Sequence, residues 1–214
     1  MRAAPAVYGR PMERISLSYF DSPNSRGEEC RLALVLAGVD FHDDRIPSAE
    51  WPARKATMPY GAVPVLEVGG RKLAQSNAVL RYIAREYGLE APDPWQRALE
   101  DAVMESAEEM RMTIWQAVRS GSTPDEKIAL RQALAEGPLP RWAQFIEAQI
   151  QGPFIGGDTI RVADLKLFMI HRWLTGGIID HLPGTVLDPF PKFVQLAAAV
   201  GAHPKVAAWR ARFA

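Results

Sequence analysis

Side chains suited to catalysis are few and scattered along this chain. The four histidines, at positions 42, 171, 181 and 203, lie too far apart to indicate a local metal site, and Cys30 is the only cysteine. The spacings that mark nucleophile elbows, phosphate-binding loops, dinucleotide-binding turns and zinc proteases are also missing from the sequence. We therefore predict no metal site, and the remaining candidates for chemistry are the backbone and single polar side chains.

One such backbone position is the pair Val63-Pro64, at the start of a β-branched, alternating run over residues 63–68. Proline cannot donate to a strand ladder, so the peptide group before it is free to pair with something outside the sheet. One interpretation is an ordinary proline at the start of a strand. The other is a cis bond that presents the backbone of Val63 to an extended peptide. The residues alone leave both interpretations open.

The elements that position these residues begin with a strand, a helix and a second strand. Residues 15–20 alternate in polarity and then become aromatic, which predicts a short strand. Ser25 and Glu28 have the spacing of a capping box, which predicts a helix that ends at Gly38 as its left-handed cap. Residues 39–45 then predict a second strand.

A hairpin and a helix complete this first unit. Residues 63–68 and 71–74 flank a Gly-Gly pair, which predicts two antiparallel strands joined by a tight turn, and a capped helical face that ends at Gly88 follows. After a proline-punctuated linker, only helical stretches are found. The sequence predicts a mixed α/β domain over residues 14–89 and an all-helical domain over residues 95–214.

Charge and composition exclude several classes of function. The 214 residues include 25 basic and 25 acidic side chains, so the net charge is zero and a nucleic-acid partner is not expected. The longest apolar stretch, residues 32–39, is far shorter than the roughly 20 residues that cross a bilayer, so no membrane span is predicted. Residues 1–14 lack the apolar core of a secretory signal, and one cysteine cannot form an internal disulfide. We expect a cytoplasmic protein.

Short motifs along the chain give a more specific indication. They are Ser18-Tyr19-Phe20, Arg45-Ile46, Trp51-Pro52 with Lys55, residues 61–68, Gln75-Ser76, Gly157-Asp158 and residues 162–165. With these motifs in this order, the chain from about Ile15 onward resembles the cytosolic glutathione transferases, and it is most similar to the sigma class among the tyrosine-type enzymes. The resemblance implies a thioredoxin-like first domain that holds glutathione as co-substrate, an all-helical second domain that lines a hydrophobic site, and a homodimer.

The resemblance also assigns roles to individual residues. Tyr19 matches the catalytic tyrosine, although by pattern alone it is a half-buried strand aromatic. The residues implied to bind glutathione are Tyr19, Arg26, Trp51, Lys55, Val63, Pro64, Gln75, Ser76 and, across the dimer, Glu109. The residues implied to contact a hydrophobic second substrate are Phe20, Met112 and Trp115. From the residues alone, Ser76 is also a helix N-cap, and Trp51 and Lys55 are ordinary loop residues.

An acidic helix face lies early in the helical half. Asp101, Glu105 and Glu109 are spaced four residues apart, and the ordinary explanation is a solvated face partnered by Arg97 or Arg111. The resemblance instead implies that Glu109 reaches the glutathione amino group bound to the partner subunit. We predict no divalent cation at this face.

The chain departs from the family pattern in a few places. The loop before Arg26 is one residue longer than usual and contains Ser22, so a serine-type mechanism is an alternative. Ala62 stands where many relatives have Lys or Gln, which removes one contact to the glycyl end of glutathione. Arg161 stands where a capping Ser or Thr is usual. Cys30 lies inside an apolar run, which predicts core packing rather than a nucleophile.

The function predicted by these residues is conjugation of the glutathione thiolate to small hydrophobic electrophiles. The same thiolate also suits a glutathione-dependent isomerase or peroxidase. A different alternative is a non-catalytic module that uses this fold only for binding or dimerisation. Tyr19 together with Gln75 and Ser76 favours the enzyme, because a docking module has no use for that set.

Overall fold

A four-stranded mixed sheet forms the first half of the protein, in a computed structural model that describes residues 14–213. The strands are β1 (Ile15–Phe20), β2 (His42–Ile46), β3 (Val65–Val68) and β4 (Arg71–Ala74), in the spatial order β2-β1-β3-β4. β1 pairs in parallel with β2 and antiparallel with β3, and β3 pairs antiparallel with β4. The parallel pair requires a crossover, which the first helix supplies.

Helices cover both faces of this sheet. They are α1 (Ser25–Ala37), α2 (Trp51–Lys55) and α3 (Ser76–Tyr87), with a single 3₁₀ turn at Pro59–Gly61. α1 and α3 pack together on one face, where β1 places its fully buried Leu17. The other face carries a small cluster of four buried apolar side chains, against which Trp51 of α2 and Val63 pack.

The regular elements described in the second half are all helices. Its elements are α4 (Pro94–Arg119), α5 (Pro124–Glu136), α6 (Pro138–Gln149), α7 (Val162–Thr175), α8 (Pro191–Ala202), α9 (Pro204–Arg210) and a last 3₁₀ turn at Ala211–Phe213. Polar residues begin several of these helices: the Asp93 carboxylate accepts from the Gln96 amide, and Thr123 and Glu126 form a reciprocal capping box.

The two halves share one hydrophobic core. Leu32 and Leu34 of α1 are fully buried in the same cluster as Leu165 and Leu167 of α7, and α1 packs against α7. Dense packing of this kind resists relative movement of the packed elements. The carboxyl end of β1 therefore has a defined position relative to α4 and α7.

The predicted ends of two helices agree with this structure, whereas one predicted helix start does not. Gly38 and Gly88 both adopt left-handed conformations at helix C-termini, at φ 70° and 73°. The predicted capping box of Ser25 and Glu28 does not form. Asn24 occupies the N-cap without a side-chain bond, and Glu28 is buried, where its carboxylate accepts from Trp209 Nε1 at 2.8 Å. The Glu28 carboxylate therefore bonds to the buried Trp209 and not to the start of its own helix.

Two predicted strands begin later than expected. The amides of Gly38 and Val39 donate back to the last turn of α1, so β2 starts at His42 instead of residue 39. β3 starts at Val65, directly after Pro64, which has no amide hydrogen to give a ladder. The boundaries predicted for the two domains, 14–89 and 95–214, stay a prediction.

The remaining predictions concern membranes and the chain start. Within residues 14–213, no helix combines the length and apolarity needed to cross a bilayer. Residues 1–13, which carry most of the expectation about a secretory signal, lie outside the described residues.

Candidate functional site

Tyr19 lies at the carboxyl end of β1, with its ring packed against the first turn of α1. The ring rests on Gly27, where an added Cβ would overlap the Tyr19 ring carbons, so this glycine is required for the close approach. The Arg31 guanidinium lies 5.7 Å from the ring centroid. Only 8% of Tyr19 is exposed.

A cavity of about 360 Å³ opens beside this phenol, between the sheet domain and the helices. Its polar lining consists of Tyr19, Asn24, Ser25, Arg26 and Arg111. Its apolar lining consists of Phe20, Val63, Trp115, Met169, Trp173 and Ile178. The cavity thus has a hydrogen-bonding side near the phenol and an aromatic side formed largely by the helical half, where the Trp115 and Trp173 ring centroids are 6.3 Å apart.

The environment of Tyr19 keeps its phenol protonated. Burial raises the pKa of Tyr19, a hydrogen bond with Ser25 lowers it, Glu29 raises it, and Arg26 and Arg111 lower it, with a net increase above the ordinary value of 10.0. At neutral pH the side chain is therefore a hydrogen-bond donor and not a base. Such a donor beside a cavity suits stabilisation of a developing or resting anion.

The residues predicted to hold an extended peptide lie around the same strand end. The Val63-Pro64 bond is cis, and Val63 precedes the first ladder pair of β3, which joins Val65 to Ser18. Trp51 packs edge-on against Phe20, with ring centroids 5.2 Å apart. Of the two interpretations of Val63-Pro64, the cis bond is the one observed.

Gln75 and Ser76 lie at the beginning of α3. Gln75 is the N-cap residue at φ 72°, a left-handed conformation that residues other than glycine seldom adopt, and Ser76 is buried. The first amides of a helix have no partners within the helix and carry partial positive charge. This helix start therefore suits a carboxylate, and its unusual backbone is typical of a binding position.

Arg26 and Lys55 differ in how firmly they are held. Arg26 Nε donates to Glu108 Oε1 at 2.6 Å, so the guanidinium that lines the cavity is anchored to α4. Lys55 is exposed at the end of α2. Met112, predicted to contact a second substrate, lies with its sulfur 3.6 Å from Arg26 Nη2 and is absent from the lining, whereas Phe20 and Trp115 belong to it.

The acidic face of α4 has a different partner from either one predicted. Arg81 of α3 pairs with both Asp101 and Glu105, at 2.8 Å in the first case. Arg97 instead pairs with Glu90, and Arg111 turns inward. The assignment of Arg97 or Arg111 to this face was wrong because the facing helix supplies a nearer cation. Glu109 is exposed, and its role toward a partner subunit stays a prediction.

Five charged side chains from three helices meet beneath the cavity, and we call them the buried charge cluster. They are Arg26 and Glu29 of α1, Glu108 and Arg111 of α4, and Lys166 of α7. Lys166 Nζ lies 2.9 Å from Glu29 Oε2 and 3.0 Å from Glu108 Oε2, and Arg111 pairs with Glu29. Burial of the Glu108 carboxyl raises its pKa, but Lys166, Arg111 and Arg26 together lower it to about 2. The cluster brings two carboxyl groups and three cationic side chains together.

Several site residues were not anticipated from sequence. Ser25 was assigned to a helix cap and Arg111 to a surface face, and Met169, Trp173 and Ile178 carried no signal beyond ordinary apolar patterning. Their contribution arises from contacts between residues far apart in the chain, which local patterns do not report.

The two remaining candidates, Ser22 and Cys30, lie away from the cavity lining. The Ser22 hydroxyl accepts from the Asn24 amide group at 3.3 Å. Cys30 is fully buried in the core, and burial raises the pKa of its thiol, as the core-packing prediction requires. In residues 14–213, no group of three or more His, Cys, Asp or Glu side chains is placed to hold a metal ion.

Comparisons with known proteins identify the class to which this fold and site belong. Residues 15–85 match the family model "Glutathione S-transferase, N-terminal domain", and residues 108–212 match "Glutathione S-transferase, C-terminal domain". The chain is 30% identical over 199 residues to hematopoietic prostaglandin D synthase of Gallus gallus and 38% identical over 203 residues to probable glutathione S-transferase 9 of Caenorhabditis elegans. Each alignment covers 92% of this chain and 96% of the relative.

A solved structure agrees with the sequence matches. Prostaglandin synthase D of Nilaparvata lugens superposes with a TM-score of 0.83 at 27% identity, covering 93% of this chain and 98% of that chain. The chain belongs to the glutathione transferase family, whose enzymes use glutathione as co-substrate. The predicted family, fold class and enzyme class are therefore confirmed.

Proposed function

We propose that this protein conjugates the thiolate of glutathione to small hydrophobic electrophiles, with Tyr19 as the catalytic residue. The observation that carries the proposal is the buried, protonated phenol of Tyr19 at the boundary between a polar and an aromatic cavity wall. A protonated donor at this boundary stabilises a sulfur anion while the aromatic wall holds the second substrate beside it.

The glutathione tripeptide is proposed to lie along the end of the sheet. The backbone of Val63, before Pro64, pairs with the extended peptide, and the start of α3 at Gln75 and Ser76 receives the γ-glutamyl carboxylate. Trp51 and Lys55 contact the glycyl end, and Arg26 lies near the thiol. These assignments give a role to the cis Val63-Pro64 bond and to Gln75, whose φ is positive.

A homodimer is proposed to complete the binding site. Glu109 is exposed on α4, so it is available to reach the amino group of glutathione bound to the partner subunit. Such a contact places a carboxylate on an ammonium group, which is a charge-assisted hydrogen bond.

Thiolate formation by itself accounts for only part of the expected rate. A free thiol with a pKa near 8.5 is about 3% thiolate at pH 7, and lowering that pKa by about two units makes roughly three quarters of it thiolate. The thiolate concentration rises roughly 25-fold. The less basic sulfur is also a weaker nucleophile, and this divides the gain in rate by about eight. The larger share is attributed to the cavity, because Phe20, Trp115 and Trp173 hold the electrophile next to the sulfur.

Isomerisation of a prostaglandin-like substrate is the second candidate. The two prostaglandin synthases reported above are among the proteins that this chain matches, and the apolar wall of the cavity offers a surface for a hydrophobic substrate. The same protonated phenol and thiolate serve both reactions.

The test is glutathione-resin binding followed by a conjugation assay with an aryl halide and an isomerisation assay with a prostaglandin endoperoxide. We expect retention on the resin and turnover of the aryl halide, with both activities strongly reduced in Tyr19→Phe. Retention without turnover in either assay would support a non-catalytic module. Loss of activity in Ser22→Ala but not in Tyr19→Phe would support the serine-type mechanism.

A further inference from the structure

Ser25 has a backbone conformation that its side chain makes costly. Its φ is 60°, in the left-handed region that glycine adopts freely and that other residues adopt only where their surroundings hold them. The residue opens α1 but does not cap it, so helix formation does not explain why a serine stands there. Its hydroxyl, in contrast, bonds to Arg111 of α4.

The direction of these hydrogen bonds is determined by chemistry. Arg111 Nη1 lies 2.8 Å from Ser25 Oγ, and because a guanidinium has no acceptor, the serine oxygen accepts this bond. The single hydroxyl hydrogen of Ser25 is then available for the phenol oxygen of Tyr19, which lines the same cavity wall and whose pKa Ser25 lowers. The phenol hydrogen of Tyr19 is left to point into the cavity.

The guanidinium at the head of this chain is held firmly. Arg111 is 3% exposed, it pairs with Glu29, and its Nε lies 3.6 Å from Glu108 Oε2. Lys166 binds both of those carboxylates. The buried charge cluster thus fixes Arg111 from α1, α4 and α7 at once, and it carries one more cation than carboxylate on the side of the cavity where a sulfur anion would form.

We propose that Arg111 and Ser25 are positioning residues that direct the Tyr19 hydroxyl toward the thiolate of glutathione through a hydrogen-bonded chain. This inference rests on the proposed function and deepens it. Each member of the chain donates to the next, and donors aligned in this way polarise one another, so Tyr19 becomes a stronger donor than the same buried phenol would be without Ser25. The helical domain therefore acts on the chemistry of the sheet domain, in addition to lining the hydrophobic site.

The test uses variants that remove the chain without removing the fold. Ser25→Gly deletes the hydroxyl at a backbone conformation that glycine favours, so the fold should be preserved or stabilised. Arg111→Lys keeps a cation for Glu29 and loses the planar fork that reaches Ser25. Ser122→Gly is the matched control, because Ser122 is an exposed loop residue outside the cavity lining.

The first readout is the apparent pKa of the enzyme-bound glutathione thiol, which is measured from the ultraviolet absorbance of the thiolate. We expect Ser25→Gly and Arg111→Lys each to raise it by about half a unit to one unit, and the aryl-halide conjugation rate near pH 6.5 to fall about 3- to 10-fold. The Ser25→Gly/Arg111→Lys double variant should lose little more than either single variant, because both interrupt one chain. Ser122→Gly should match the wild type.

The outcomes separate this inference from the proposed function. If the wild type binds no glutathione, or if Tyr19→Phe leaves the thiol pKa unchanged, the proposed function fails, and this inference fails with it. If Tyr19→Phe raises the thiol pKa while Ser25→Gly and Arg111→Lys leave it at the wild-type value, the hydrogen-bonded chain alone is overturned. Additive losses in the double variant would also overturn it.

Discussion

At the scale of single residues, the site depends on how closely the Tyr19 ring approaches its neighbours. Gly27 gives the ring room, and burial holds the phenol in its protonated form, while Ser25 lowers its pKa. The phenol hydrogen bond increases the amount of thiolate only at pH values where the free thiol would be protonated. The contribution of Tyr19 must therefore depend on pH.

Tyr19→Phe should lower the conjugation rate sharply at neutral pH and less at high pH. A hydrogen bond to a charged group contributes about 1.5 to 3 kcal/mol, so the expected loss near neutrality is roughly 10- to 100-fold. Above a pH of about 9 the free thiol ionises unaided, and the loss should shrink. The measurement is kcat/KM for an aryl halide across this range at constant ionic strength. Equal losses at neutral and high pH would contradict the assigned role.

At the scale of elements, some helix starts are held by residues within the same turn and others by contacts with a preceding loop. Thr123 caps α5 with its own neighbour Glu126, as a sequence pattern would suggest. α7 is held differently: the buried Asp164 carboxylate accepts the Arg161 amide and also the Ile155 amide from the preceding loop, each at 2.8 Å. One side chain thus ties a loop to the helix that supplies part of the cavity wall.

Asp164→Ala should destabilise the protein by about 2 to 5 kcal/mol, because it leaves the buried Ile155 amide and the partly buried Arg161 amide without acceptors, and a buried amide without an acceptor costs about 1 to 3 kcal/mol. Urea unfolding followed by circular dichroism measures the change. Asp158→Ala is the control, since Asp158 is exposed in the same loop and should change stability by less than about 0.5 kcal/mol. If both variants lose the same stability, the loss comes from something other than these two amides.

The same contrast explains what the sequence could predict. The strand at residues 15–20, the Gly-Gly hairpin and the helix that ends at Gly88 rest on neighbours in the chain, and they were predicted close to their observed bounds. The family motifs predicted that Tyr19, Val63 and Gln75 contribute to one site, and in the structure Val63 and Gln75 have the cis bond and the positive φ described above. Local patterns failed for Glu28, whose partner Trp209 lies 181 residues away. They failed for Arg111 in the same way, since its partners Ser25 and Glu29 are 86 and 82 residues away.

At the scale of the whole molecule, the two domains are joined by apolar packing and by the buried charge cluster. The shared core fixes their relative position, and the cluster adds charged groups that are costly to bury unless all are paired. Removing one member should therefore lower the free energy of unfolding of the whole protein. Glu108 is the member whose protonation can be varied, since its pKa is lowered to about 2.

Glu108→Gln should reduce the stability of the protein at neutral pH and leave it almost unchanged in strong acid. The pKa of Glu108 in the folded state lies below its ordinary value of 4.5, so the carboxylate stabilises the fold above about pH 4.5, and this contribution is lost as the pH falls through about 2. A shift of this size corresponds to a loss of at most about 3 kcal/mol. The difference in free energy of unfolding between wild type and variant, measured by urea titration at several pH values, should be constant above pH 5 and shrink toward zero near pH 2. Glu136→Gln, at the exposed end of α5, is the control and should differ little from wild type at any pH. A wild-type-to-Glu108→Gln difference that stays constant down to pH 2 would mean that ionised Glu108 does not stabilise the contact between the domains.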